Sequence, residues 1–188
     1  MGKVFLFMMV SLDGFFEGPN HEIDWHNVDG EFNEFAIEQA KDVGTILFGR
    51  RTYELMASYW PTESAMKDDP VVAGMMNNTP KIVFSRTLAE AEWNNTRLVK
   101  GNVGEEVSKL KRMPGKDVAI FGSSDLAVSL AKDGLIDEFR IMVNPVVLGG
   151  GKRLFEGMED KLSLKLVKTR TFKSGNVLLY YQPDKKVA

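Results

Sequence analysis

The sequence predicts an α/β domain: a mixed, mostly parallel sheet with helices on its faces, closed by an antiparallel hairpin. Three observations carry that prediction. Short apolar runs alternate with amphipathic segments four times along the chain. The apolar runs give way to glycine or to polar turns. The C-terminal part then holds strand patterns with no helix between them.

Residues 3–10 are a continuous apolar run, cut off by Ser11-Leu12-Asp13-Gly14, and read as a buried strand. Residues 15–27 lack a period and carry Gly18-Pro19-Asn20, so they read as a long loop. From 29 to 43 the apolar positions Phe32, Phe35, Ala36, Ala40 and Val43 keep helical spacing, with Asp29 as the N-cap. A short β-branched and aromatic strand at 45–48 ends at Gly49, and a helix over 51–59 is closed by Trp60-Pro61. Residues 62–79 are polar and read as a connection to the strand at 81–84. A strand at 96–100, a helix at 103–113, a strand at 117–121 and a helix at 124–132 follow, the last stopped by Asp133-Gly134. A long apolar strand covers 138–147 and is broken by Gly149-Gly150-Gly151. Alternation at 162–172 and 176–182 around Lys173-Ser174-Gly175 marks the hairpin.

The chain has 188 residues, 44% hydrophobic and 27% charged, which suits a single globular domain over 1–188. A net charge of -2 provides no footprint for nucleic acid or an anionic membrane. The absence of cysteine excludes disulfides, thiolate chemistry and cysteine zinc sites, and favours a cytoplasmic protein. The apolar run at 4–10 is too short for a membrane span, which needs about 20 residues, and lacks the flanks of a signal peptide.

Ligands in open α/β sheets collect at the strand-to-helix turns on the carboxyl edge. Three such turns share a composition suited to phosphate: Gly49-Arg50-Arg51-Thr52, Ser85-Arg86-Thr87 and Gly122-Ser123-Ser124. Glycine admits close backbone approach, hydroxyls donate hydrogen bonds, arginine grips oxyanions in two-pronged fashion, and a helix N-terminus supplies free N–H groups. Alone, Gly122-Ser123-Ser124 reads sooner as an N-cap, Arg50-Arg51 equally as a solvated face, and Ser85-Arg86-Thr87 as an ordinary loop; together they suit a dinucleotide carrying an extra ribose phosphate. The three arginines at Arg50, Arg51 and Arg86 favour NADPH over NADH.

Competing motifs fail. No Gly-x-Gly-x-x-Gly follows the first strand, and Gly149-Gly150-Gly151-Lys152 is no P-loop, because Arg153 stands where a magnesium-binding hydroxyl belongs. His21, Asp24 and His26 follow no zinc spacing, so no metal is expected. No Gly-x-Ser-x-Gly supports a serine hydrolase. Trp25, with Phe15, Phe16, Phe32, Phe35 and Ile37 near it in sequence, is a candidate wall for a flat heterocycle, or a pin holding the loop to the core.

The segments Ser11-Leu12-Asp13-Gly14-Phe15, Phe48-Gly49-Arg50-Arg51-Thr52-Tyr53-Glu54, Ile82-Val83-Phe84-Ser85-Arg86, Ile120-Phe121-Gly122-Ser123-Ser124 and Asn144-Pro145-Val146-Val147-Leu148-Gly149-Gly150-Gly151, in this order, resemble the dihydrofolate-reductase-like superfamily. Within it the chain is most similar to stand-alone relatives of the C-terminal reductase domain of the bifunctional riboflavin-biosynthesis deaminase/reductase. The resemblance implies a three-layer fold with a sheet of about eight strands and helices on both faces. It implies NADPH phosphates at Gly49, Arg50, Arg51, Thr52, Ser85 and Arg86, and the pyrophosphate at Gly122, Ser123 and Ser124. Gly149 and Gly150 would lie by the cofactor cleft, and substrate beside Asp13, Trp25, Asn33 and Ile37. It also implies a homodimer, which the apolar strand at 139–147 allows.

Two departures matter. The position of the folate enzymes' acid falls on Asn33, an amide that cannot relay a proton, with Glu34 one residue on. The deaminase half, with its His-x-Glu and Cys-x-x-Cys zinc signature, has no counterpart. The expected function is therefore an NADPH-dependent reductase of a small, flat heterocyclic or carbonyl substrate, resembling 5-amino-6-(5-phosphoribosylamino)uracil reductase. Glu34, Asp13 or bound water would supply the proton. The alternatives are a nucleotide- or metabolite-binding module without turnover, and a true dihydrofolate reductase.

Overall fold

The first strand, β1 (Val4–Ser11), sends Val4, Leu6, Met8 and Val10 into one hydrophobic cluster, and Phe5 and Met9 into clusters on the opposite side. Successive strand side chains point to opposite faces, so a strand covered on both sides has to be apolar throughout. Phe5 and Leu6 are completely buried, each worth roughly 1.5–3 kcal/mol relative to exposure.

The computed structural model describes residues 2–184. After β1 come β2 (Phe15–Glu17), α1 (Gly30–Ala40), β3 (Val43–Gly49), α2 (Arg50–Tyr59), α3 (Glu63–Asp68), α4 (Pro70–Asn78), β4 (Lys81–Phe84) and β5 (Thr96–Val99). Then follow α5 (Val103–Arg112), β6 (Asp117–Phe121), α6 (Ser124–Lys132), β7 (Glu138–Asn144), β8 (Lys152–Arg153), β9 (Leu164–Thr171) and β10 (Val177–Pro183). The main sheet has eight strands in the order β5-β4-β3-β6-β1-β7-β10-β9. Neighbours from β5 to β7 are parallel, and β10 pairs antiparallel with both β7 and β9. Helices α5 and α6 cover one face and α1, α2 and α4 the other, so the expected architecture is the one observed.

Four details differ from the sequence reading. Val43 belongs to β3, opposite Asp117, and not to α1. The polar stretch 62–79 folds into α3 and α4, because Asp69 caps Val72 N–H, Pro70 takes the first helical turn, and Val72, Ala73 and Met76 are buried. β7 stops at Asn144, since Pro145 has no N–H to continue a ladder. Finally, the first loop contains β2, which pairs antiparallel with β8 in a two-stranded sheet of its own.

β4 and β5 are parallel neighbours joined without a helix; the crossing segment is pinned by Trp93, which is buried, stacks on Phe48 and donates its indole N–H to Asn77 Oδ1 at 2.7 Å. At the start of β4 the buried Lys81 ammonium donates to the carbonyls of Met76, Asn77 and Thr79 at 2.8, 3.1 and 2.8 Å, and lies over the Trp93 ring. It thereby satisfies the orphan carbonyls at the end of α4, and burial pushes it down to about 8. No helix among the described residues is long and apolar enough to cross a membrane.

Candidate functional site

The carboxyl ends of β3, β4 and β6 open on a groove of about 440 Å³, lined by Gly49, Arg50, Arg51, Thr52, Ser123, Ser124 and Asp125 on one side and by Phe16, Glu17 and Lys152 on the other. Because β6 lies between β3 and β1, this is the edge where crossovers diverge, the usual place for a ligand.

Two of the candidate turns line this groove and direct bonds link all three, although Ser85, Arg86 and Gly122 are themselves outside the lining. Gly49 N–H donates to Ser123 Oγ at 2.8 Å, tying the start of α2 to the start of α6. Arg50 Nη1 donates to Thr87 Oγ1 at 2.7 Å, and Ser85 Oγ accepts from the Leu88 amide at 2.9 Å, which joins the third turn. Gly122 and Ser123 are both left-handed, at φ 67 and 62. A β-carbon on Gly122 would sit 3.0 Å from Thr52 Cγ2. Left-handed backbone at the non-glycine Ser123 costs on the order of 1 kcal/mol, which its bond to Gly49 helps offset. Ser124 is buried, lines the groove, and its hydroxyl makes no hydrogen bond among the described residues. Arg51 and Arg86 are exposed cations. Two helix N-termini, the groove-lining Ser124 hydroxyl and adjacent arginines together fit a phosphate-bearing dinucleotide.

The predicted substrate residues are more scattered. Asp13 accepts from Ser11 Oγ at 2.7 Å, Leu148 N–H at 3.1 Å and Gly149 N–H at 2.8 Å. The Ser11 hydroxyl foremost, with the two amides, holds its carboxyl at about 2. An anion so committed is a brace for the 145–149 loop, not a proton donor. Glu34 is exposed on α1, whose Phe35 and Gln39 turn inward, and Asn33 is half-buried. Ile37 lines a separate apolar hollow with Val71, Val72 and Met75 between α1 and α4, so it is core-side packing there. Trp25 donates Nε1–H to the Glu22 carbonyl at 3.2 Å and meets His26 edge-on. His26 is sunk far enough that burial pushes its imidazole down to about 4.

The end of this loop is gripped at Asn27. Its amide donates to Asn144 Oδ1 at 2.9 Å, its carbonyl accepts from Asn176 Nδ2 at 2.8 Å, and its side chain donates to the Ser174 carbonyl at 2.9 Å. Asn144 and Asn176 are 1% and 0% exposed, so the anchor is dry.

Gly149 and Gly150 do not line the groove. Their segment instead seats the first loop: Gly151 has φ 131, and a β-carbon there would lie 2.1 Å from the Glu17 carbonyl oxygen. Sequence reasoning missed Glu17 and Lys152 and placed Phe16 only beside the Trp25 wall; all three reach the groove because β2 pairs with β8. Another hollow of about 570 Å³ lies at the opposite, amino ends of β4 and β5; its one buried cation, Lys81, is already spent on α4.

Comparison with known proteins agrees with this architecture. The chain is 39% identical over 181 residues to the uncharacterized protein YyaP of Bacillus subtilis (strain 168), covering 95% of this chain and 94% of that one. Among solved structures it superposes on a putative riboflavin biosynthesis protein from Shewanella sp. PV-4 with a TM-score of 0.74, at 24% identity, over 97% and 99% of the two chains. A dihydrofolate reductase from Enterococcus faecalis complexed with NADP(H) gives a TM-score of 0.65 at 16% identity, covering 98% of each chain. At those identities the two structures speak to the fold, which is dihydrofolate-reductase-like. The model of the RibD C-terminal domain matches residues 2–178, and the chain belongs to that family.

Proposed function

We propose that this protein is an NADPH-dependent reductase of a small, flat heterocyclic or carbonyl compound, of the riboflavin-pathway type. One observation carries the reading: two phosphate-suited turns remote in sequence, Gly49–Thr52 and Ser123–Ser124, are bonded together at one groove, and Arg50 reaches from it to Thr87 of the third. The family and the NADP(H)-bound folate reductase of the same fold support it. When bound, NADPH supplies the hydride. The chain's own part is to hold the phosphates at Gly49–Thr52, Ser85–Arg86 and Gly122–Ser124, and to wall the groove with the β2–β8 pair. With Asp13 committed as an acceptor and Glu34 exposed, water is the proposed proton source. We further propose a homodimer. β7 lies inside the sheet, so the apolar surface offered to a second copy is on the edge strand β9, where Leu166 and Val167 are 48% and 53% exposed.

Titration with NADPH followed by fluorescence or thermal shift is the direct test; no response at millimolar cofactor would sink the reading. Replacing Arg50 and Arg86 with alanine is expected to weaken NADPH far more than NADH, since the extra ribose phosphate needs cations. NADPH oxidation against pterins, pyrimidines and simple carbonyls then identifies the substrate class. Binding without oxidation of any of them favours the second reading, a binding module, for which the absence of a free carboxylate at Asp13 or Asn33 is the supporting observation.

A further inference from the structure

We infer that Lys152 and Asp125 form a charge latch across the groove, in which Asp125 holds the place of an anion and gives up Lys152 to the phosphate that arrives. The inference rests on the reductase reading only for the identity of that phosphate.

Lys152 Nζ lies 2.7 Å from Asp125 Oδ1, and both residues line the groove. They come from opposite walls. Lys152 is in β8, whose only strand partner among the described residues is β2, whereas Asp125 is in the first turn of α6. The pair therefore bridges the two-stranded flap to the helix that faces it. Beside Asp125 stands Ser124, 4% exposed and lining the groove, with a hydroxyl that has no hydrogen-bond partner among the described residues. On a residue otherwise so enclosed, a hydroxyl left without a partner at the groove wall points to a ligand at this end.

Charge decides how the pair behaves. A helix N-terminus attracts anions, but here the protein's own carboxylate occupies the first turn. An arriving phosphate is drawn by the exposed Arg51 in the groove lining but repelled by Asp125, and a second cation released to it offsets that repulsion. Arg50 is already engaged with Glu54 and Thr87. Among the described residues, Lys152 lies 5.9 Å over the Phe16 ring and pairs with a carboxylate whose side chain is 82% exposed, and such solvated pairs are weak and readily exchanged. Its backbone is meanwhile fixed, because Gly151 packs directly on the Glu17 carbonyl. A long, flexible amine on a fixed strand, with a weakly held partner, is suited to change partners.

The latch predicts effects of opposite sign. Removing the Asp125 charge should tighten anion binding, where a merely structural pair would leave it unchanged or weaken it. The experiment is calorimetric titration of the full chain with NADPH and, separately, with inorganic pyrophosphate at low ionic strength. Wild type is compared with D125N, D125S and K152M. Expected are about threefold tighter binding for both Asp125 variants and about tenfold weaker binding for K152M, with the differences closing at high salt. Unliganded melting temperatures serve as the folding control, and two Asp125 variants keep the test open if one misfolds. Equal or weaker binding by folded Asp125 variants overturns the latch. NADPH bound alike by all the proteins overturns the latch and leaves the reductase reading standing. The expected pattern with pyrophosphate, without NADPH binding, supports the latch and removes the reductase reading. Failure of wild type to bind either probe removes both.

Discussion

The phosphate side of the groove is assembled from turns that each complete themselves within a few residues, and two bonds, Gly49 to Ser123 and Arg50 to Thr87, then join them. The side around Asp13 and Trp25 has local bonds too, Ser11 to Asp13 and Trp25 to Glu22, but they do not complete it. It is tied down by bonds that span the chain: Asp13 to Gly149 across 136 residues, Asn27 to Asn144 across 117, and Asn176 to Asn27 across 149. A turn with its own glycine, hydroxyl and helix start forms its ligand-ready shape from local rules. A loop held by distant asparagines takes its shape only after the sheet is assembled. The first side should therefore tolerate single changes that the second does not.

The largest expected effect is at the seat of the first loop. Gly151→Ala puts a β-carbon against the Glu17 carbonyl at a backbone angle alanine resists, and should destabilise by about 2–3 kcal/mol in chemical unfolding. A loss below half of that would show that the flap shifts freely.

Acid should next separate the two sides. The folded pKa of His26 lies below its unfolded value of 6.5, at about 4, so the imidazole's contribution to stability is full above pH 6.5 and is lost as pH falls toward 4. Allowing for incomplete burial, roughly 2 kcal/mol is at stake. Hydrogen exchange should show 18–28 loosening before the turns at 49 and 122 do, and His26→Gln should flatten the dependence. Simultaneous loosening would erase the distinction drawn between the two sides.

The smallest effect is expected on the phosphate side. Ser123→Ala removes the acceptor for Gly49 N–H and keeps a left-handed β-carbon, costing about 1 kcal/mol, while Ser123→Gly loses the same bond but relieves the backbone and should be nearly neutral. Thermal melts of the two variants check the order.

The same contrast explains what the sequence made legible. Asp29 as N-cap, Gly49 and Gly122 at strand ends, and the uniformly apolar β1 are local signals, and each lies where the pattern places it. α4 was also legible, through Asp69-Pro70 and the spacing of Val72 and Met76, but the surrounding polar residues masked it. The pairing of β2 with β8 carries no local mark: three residues meet two across a long stretch of chain, so Glu17 and Lys152 gave no sign of lining a groove and Phe16 showed only as an aromatic near Trp25. Asp13 was legible as important and not as a brace, because its role depends on amides 135 and 136 positions away. Ile37 kept helical spacing, and spacing alone does not say which neighbour a face meets.

Lys81 gives the far edge of the sheet a built-in clock. Lys81 is 1% exposed, and the burial that lowers its amine to about 8 also keeps it out of reach. An acylating reagent that saturates the surface lysines within minutes should modify Lys81 only as fast as the end of α4 lets go of it. The labelling rate at that one position therefore reads the opening of the β4 edge, independently of any ligand in the groove on the other side.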